Sequence, residues 1–109
     1  MAESTNDTPV LDLLANMTAD SVTASSLDPE TLMLVRIAAL VAVDAPPVSY
    51  LLNLGAAREL GLDADQVRGV LAAIAPIVGT ARIASATGKI VDALEVAIET
   101  AELDEQGQE

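Results

Sequence analysis

The sequence contains no cysteine and no histidine. Without cysteine the chain has no thiolate, so we exclude thiol redox, thiol peroxidase and disulfide chemistry by this chain alone. Without histidine it also lacks the side chain that most often serves as a general acid or base near neutral pH. These two absences remove several common catalytic mechanisms before any motif is considered.

Aromatic residues are nearly absent as well, since Tyr50 is the only one. Apolar residues nevertheless make up 51% of the 109 residues, which indicates a folded domain rather than a disordered chain. The core must be built from alanine, leucine, valine, isoleucine and a few methionines, and small side chains bury little area each. We therefore expect one domain that is marginal as a monomer and gains stability from contacts between subunits.

Long apolar runs are also missing. The best run, Leu32–Val43, contains Arg36 and falls short of the roughly 20 residues that a membrane-spanning helix needs. The N-terminal segment, residues 1–7, is polar and acidic and lacks the basic and apolar regions of a signal peptide. These features predict a cytoplasmic protein that does not enter a membrane.

The net charge of −12 resides at the two ends of the chain. Residues 31–94 hold all five basic residues and five acidic ones, whereas residues 1–30 and 95–109 each hold six acidic residues and no basic ones. Binding to phosphate groups requires clustered lysine and arginine, so we exclude DNA, RNA and anionic membranes as partners. We interpret the acidic ends as solvated segments that keep the protein soluble.

Helix signals dominate the chain, and no segment alternates apolar and polar residues as a strand does. Asp28 followed by Pro29 is a strong helix start, Gly61 is a typical residue after a helix end, and Asp63 with Gln66 has the spacing of a capping box. The pattern predicts an all-α fold, a compact bundle of about five helices near residues 9–20, 29–44, 47–60, 64–78 and 81–101.

These helices predict a single domain at residues 9–101. A disordered acidic leader at residues 1–8 precedes it, and an acidic tail at residues 102–109 follows and is expected to fray. The apolar spacing in the last helix predicts a core stripe of five side chains: Ile83, Ile90, Val91, Leu94 and Ile98.

Four segments carry helix starts, small residues and turns in a recognisable order: Leu27–Thr31, Gly55–Leu62, Asp63–Val70 and Ala75–Arg82. Their order and spacing resemble the carboxymuconolactone decarboxylase family, which includes alkylhydroperoxidase-D-like proteins. The resemblance covers about residues 27–94. It implies the alkylhydroperoxidase-D-like helical fold and assembly into a homo-oligomer, either a trimer or a hexamer.

The redox branch of that family carries two cysteines, three positions apart, at the start of the third helix, and a histidine four residues after the second one. Counting back from the glycine that ends this helix places these positions at Pro46, Ser49 and Asn53. None of them supplies a thiolate or an imidazole. The family's upstream acid falls at Met33 or Leu34, and its decarboxylase branch relies on histidine. The resemblance therefore implies a family scaffold without the family's chemistry.

The best candidates for a ligand pocket are Ser49, Tyr50, Asn53 and Arg82. Ser49 and Asn53 lie one helical turn apart, and Arg82 is suited to binding a carboxylate. The alternative is that these side chains bind one another or backbone groups. We predict no catalytic residue, no cofactor and no metal site, because the closely spaced acids after Gly61 fit helix capping and no phosphate-binding loop is present.

We therefore predict a catalytically degenerate family member that acts as an oligomeric scaffold or small-molecule binding protein without thiol peroxidase activity. The alternative is a cysteine-independent decarboxylase, isomerase or lactone-handling enzyme that uses Arg82, Tyr50 and Asn53 to orient and stabilise its substrate. A closed interior lined by alanine favours the scaffold, whereas an open cavity where Arg82 and Tyr50 converge favours a ligand or substrate.

Overall fold

The computed structural model describes the backbone of residues 8–107 and the side chains of residues 8–94. The described residues form five α-helices: α1 (Pro9–Ala24), α2 (Pro29–Ala42), α3 (Pro47–Glu59), α4 (Ala64–Val78) and α5 (Thr80–Gly107). The prediction of an all-α fold is confirmed, since this part of the chain contains no strand. In the same residues, no helix has the length and apolar character needed to cross a membrane.

Side-chain caps begin α2 and α4 as the sequence predicts. The Asp28 carboxylate accepts a hydrogen bond from the Thr31 amide at 2.8 Å. At α4 the Asp63 carboxylate accepts from the Gln66 amide at 3.0 Å, and the Gln66 side chain accepts from the Asp63 amide at 2.9 Å. These bonds satisfy backbone donors that have no partner within the first turn of a helix.

The end of α3 is set by Gly61, whose φ of +87° lies in the left-handed region that favours glycine. The amide of Gly61 donates to the carbonyl of Arg58, and the amide of Leu62 donates to the carbonyl of Ala57. This pair of bonds is a Schellman motif. It turns the chain so that Leu62 is buried beneath α3, and α4 can begin two residues later.

Two helices are longer than the sequence predicts. Helix α1 continues to Ala24, because residues 21–24 contain no glycine or proline and the Ser25 amide still donates to the Ser21 carbonyl at 3.0 Å. Helix α5 continues to Gly107 into the predicted acidic tail, since residues 102–106 contain no glycine or proline. Residues 1–7, most of the predicted leader, lie outside the described residues, and the domain boundaries stay a prediction.

Helix α2 lies at the centre and contacts α3, α4 and α5. One buried cluster joins its C-terminal end to α3 and α5, and it consists of Val41, Ala45, Tyr50, Ala86, Ile90 and Ala93. A second cluster joins its N-terminal half to the end of α3, and it consists of Leu32, Met33, Ile37, Ala57 and Leu62. Four of these eleven residues are alanine, and each alanine side chain buries little apolar area.

Helix α1 lies outside this core and buries none of its residues. Its apolar side chains stay largely in solvent, with Val10, Leu11 and Leu13 between 63% and 65% exposed. Near its C-terminal end, Arg36 of α2 donates to the Thr18 carbonyl at 3.2 Å and to the Ser21 hydroxyl at 3.1 Å. The helix is therefore attached to the body at one end and leaves an apolar face uncovered.

Candidate functional site

Tyr50 occupies the junction between the end of α2, the start of α3 and α5. Its side chain has no solvent exposure and packs with Val41, Ala45, Ala86 and Ile90. Burial raises the pKa of the Tyr50 hydroxyl above its ordinary value of 10.0, and the nearby Asp44 carboxylate raises it further. A substrate outside the core cannot touch this hydroxyl, so Tyr50 acts here as a core residue.

None of the other three predicted pocket residues forms a hydrogen bond with the Tyr50 hydroxyl. The Asn53 amide donates to the Ser49 carbonyl at 2.9 Å, and both residues are half-buried. Arg82 is exposed in the first turn of α5, where its charge contributes to lowering the Asp44 pKa. Asn53 therefore makes the kind of backbone bond that the sequence analysis gave as the alternative to ligand binding.

Asp44, Ser85 and Lys89 form a polar cluster that the sequence does not predict. The Asp44 carboxylate accepts from the Ser85 hydroxyl at 2.8 Å and from the Lys89 ammonium at 3.0 Å. Lys89 also donates to the Ala45 carbonyl at 2.8 Å. Asp44 itself has a φ of +55°, which an aspartate tolerates better than most residues. The cluster ties the turn between α2 and α3 to α5.

The hydrogen bonds of this cluster lower the pKa of the Asp44 carboxyl group. The bond from Lys89 is the largest cause of the lowered Asp44 pKa, and the bond from Ser85 is the second. The hydroxyl of Ser85 donates to a carboxylate, and the Lys89 nitrogen is held as an ion-paired ammonium. These bonds join the turn between α2 and α3 to α5 and keep Asp44 in its charged form. Sequence inspection could not join residues more than 40 positions apart.

A groove of about 650 Å³, here called the larger groove, opens between α3, α4 and α5. Its walls are formed mainly by apolar side chains: Leu51, Leu54, Val67, Leu71, Ile90, Val91 and Leu94. Arg58, Arg68, Asp63 and Thr87 provide its polar edge. None of the four predicted pocket residues lines this groove.

The predicted core stripe of α5 is only partly buried, because some of its side chains face the larger groove. Ile90 is buried and Ile83 is half-buried, but Val91 and Leu94 are 47% and 45% exposed because they face the groove. The side chain of Ile98 lies outside the described residues. Helical spacing showed which side of α5 is apolar, but it could not show that α3 and α4 leave part of that side open.

A second groove of about 600 Å³, here called the smaller groove, lies between α1 and the outer side of α2 and α3. It is lined by Met17 and Ser21 of α1, by Arg36 and Leu40 of α2, and by residues of α3 that include Leu52, Asn53 and Ala56. Of the predicted pocket residues, Asn53 alone reaches it. Among the side chains described, no three acidic residues gather as a metal site would require.

Removing the Tyr50 hydroxyl tests its role in the core. The hydroxyl oxygen is buried without a hydrogen-bond partner among the described residues, and such a group costs about 1–3 kcal/mol. Tyr50→Phe is therefore expected to raise the free energy of unfolding by about 1 kcal/mol, measured by urea denaturation. Tyr50→Ala, which removes the buried ring and leaves a cavity, is the control and should lower the free energy of unfolding by about 3–5 kcal/mol. If Tyr50→Phe is less stable than the wild type, the Tyr50 hydroxyl is not an unpaired buried group.

The Asp44 cluster predicts a dependence of stability on pH. Because the folded-state pKa of Asp44 lies below 3.8, its stabilising contribution is present above that value and is lost as the pH falls through the folded-state pKa. Asp44→Asn should melt a few degrees below the wild type at neutral pH, and the difference should shrink below pH 3.8. Asp92→Asn, a charge loss elsewhere on α5, is the control. A pH-independent difference in melting temperature would argue against the ion pair.

Comparison with known proteins is consistent with this helical arrangement. A sequence model of the carboxymuconolactone decarboxylase family matches residues 8–99, from the residue before α1 into α5. Neither a curated protein nor a solved structure gives a match. Since the matched region includes most of the 109 residues, the chain belongs to the carboxymuconolactone decarboxylase family.

Proposed function

We propose that this family member binds a small molecule with an apolar body and one anionic group in the larger groove, without thiol peroxidase activity. The observation that carries the proposal is the groove itself. Its volume of about 650 Å³ falls within the usual range of small-molecule sites, about 300–1,000 Å³. Three helices form its walls, so the cavity exists before a ligand arrives and little ordering is needed on binding.

The lining of the groove suggests the class of ligand. Its interior is dominated by leucine, isoleucine and valine side chains, which favour an aliphatic or alicyclic body. Arg58 is exposed at the groove edge, near the C-terminal end of α3, where its guanidinium can bind a carboxylate. Arg68 also lies at the edge, but it is paired with Asp65. Arg58 is therefore the better candidate for the anionic group.

The lack of thiol chemistry follows from the residues at the start of α3. Pro46 is the N-cap of this helix, and Ser49 and Asn53 are joined by a hydrogen bond from side chain to backbone. A peroxide-reducing site at this place needs a thiolate, and the chain has no cysteine to provide one. The proposal also includes a cytoplasmic location and assembly of several copies, as a trimer or hexamer, supported by the small side chains of the core.

Filling the groove tests ligand binding directly. Gly55 lines the groove, and a Cβ added there meets no heavy atom within 4 Å, so we expect the side chain of Gly55→Leu to occupy part of the groove. Leucine also suits a helix better than glycine by about 1 kcal/mol. Decanoate, titrated calorimetrically, should bind the wild type and bind Gly55→Leu at least about tenfold more weakly, a difference of about 1.4 kcal/mol. Arg58→Gln should weaken decanoate but not the neutral decanol.

The matched control is Gly69→Leu. Gly69 also has open space around it and lies on α4, but it does not line the larger groove. Its leucine variant should bind decanoate as the wild type does. No binding by the wild type, or equal losses in both leucine variants, would refute a ligand site in this groove.

The second part of the proposal predicts redox inertness. The purified chain should consume no hydroperoxide and reduce no disulfide above the blank, because no residue can form a sulfenic acid or a mixed disulfide. Peroxide consumption in metal-free buffer with a dithiol reductant is the measurement, and an authentic thiol peroxidase serves as the positive control. Sustained turnover by a preparation free of contaminating reductases would disprove this part.

A further inference from the structure

Helix α4 forms one wall of the larger groove, through Val67 and Leu71, and it is the wall with the least burial. The other two walls each contain buried residues, such as Tyr50 on α3 and Ile90 on α5, whereas α4 contains none. Its inner side chains, among them Val67, Leu71 and Ile74, are only half-buried. Segments with few buried contacts are the ones that open locally at the lowest free energy.

Polar contacts do not join α4 to its neighbours either. Among the described side chains, the hydrogen bonds and the ion pair at α4 are local: Asp63 bonds with Gln66 at the N-cap, and Arg68 pairs with Asp65 one turn later. By contrast, the Asp44 cluster joins the turn before α3 to α5. Within the described part of the chain, α4 can therefore move without breaking a side-chain hydrogen bond or ion pair to another helix.

Glycines with a positive φ lie at both ends of α4. Gly79 is the only residue between α4 and α5, and its φ of +90° with a ψ of 164° lies in a region that is essentially restricted to glycine. Gly61, shortly before the helix, has a φ of +87°. Residues at the ends of elements absorb the changes in φ and ψ that a hinge motion requires. These two glycines are thus placed to let α4 swing as a unit.

We propose that α4 is a lid of the larger groove, which moves away from α5 about Gly79 to admit a ligand and returns to cover the ligand's apolar body. A bound apolar ligand gives Val67 and Leu71 the contacts that α3 and α5 do not provide. The ligand therefore binds the closed arrangement more tightly than the open one and shifts α4 towards it. This inference rests on the proposed ligand site and adds how that site is entered and closed.

Hydrogen exchange of the full-length wild type, followed by mass spectrometry, tests the lid. A 15-residue helix that has left the core is only marginally stable in water, so its amides exchange from the open state. In the free protein, the interior amides of α4 (residues 68–78) should have protection factors at least about tenfold below those of α2 (residues 33–41).

Decanoate at about ten times its dissociation constant should raise the protection of α4 by about tenfold, because the open state loses the ligand. If α4 could open while the ligand stayed bound, decanoate would leave the protection of α4 unchanged. The response of α4 to decanoate therefore separates a lid from a helix that is merely loose.

Gly79→Ala tests the hinge, and Gly88→Ala is its matched control. A Cβ added at either position meets no heavy atom within 4 Å, but only Gly79 has a positive φ. Alanine at position 79 strains the closed arrangement. Gly79→Ala should therefore lower the protection of α4 several-fold relative to that of α2 and weaken decanoate binding several-fold. Gly88→Ala should leave both at wild-type values.

Two results would overturn the lid: equal protection of α4 and α2 in the free protein, or calorimetric binding of decanoate that leaves the protection of α4 unchanged. The second result would leave the proposed ligand site intact. An absence of binding heat would instead disprove the ligand site, and closure on a ligand with it. If Gly79→Ala fails to fold, the exchange measurements on the wild type still decide the question.

Discussion

The burial of Tyr50 at the junction of α2, α3 and α5 is the contact on which the rest of this structure depends. The other members of its cluster are one valine, one isoleucine and three alanines, so the aromatic ring is the largest side chain at this point. Asp44, Ser85 and Lys89 lie beside it and hold the turn before α3 against α5. The ring and the polar cluster together join α2, α3 and α5 at the turn where α3 begins.

Small core side chains have a consequence for function. Alanine allows helices to approach closely at a few points, but it cannot fill the space where helices diverge. The gap between α3, α4 and α5 is such a place, and it leaves Val91 and Leu94 facing an open apolar groove. The same shortage of bulk leaves α1 outside the core. The ligand binding and the self-association that we propose would both use apolar surface that the monomer does not bury.

The absence of cysteine and histidine separates this chain from the redox chemistry of its family, while the helical framework remains. At the start of α3, where the family's redox branch places its thiols, this chain has Pro46 and Ser49, and α3 still begins there with Pro47 as its first residue. A helix start requires a suitable cap or proline and does not require a reactive thiol. The start of α3 therefore does not depend on a reactive residue at this place.

The sequence by itself determined the helices and most of their boundaries, because their signals are local. Asp28, Asp63 and Gly61 act on backbone groups within a few residues, so their effects could be predicted and were confirmed. Tertiary structure decided the rest. Asp44 meets Lys89 across 45 positions, Tyr50 is buried while Ser49 is half-buried beside it, and the grooves depend on where helices fail to meet. Periodicity shows that a helix has an apolar side, but only the packing of several helices decides whether that side is covered.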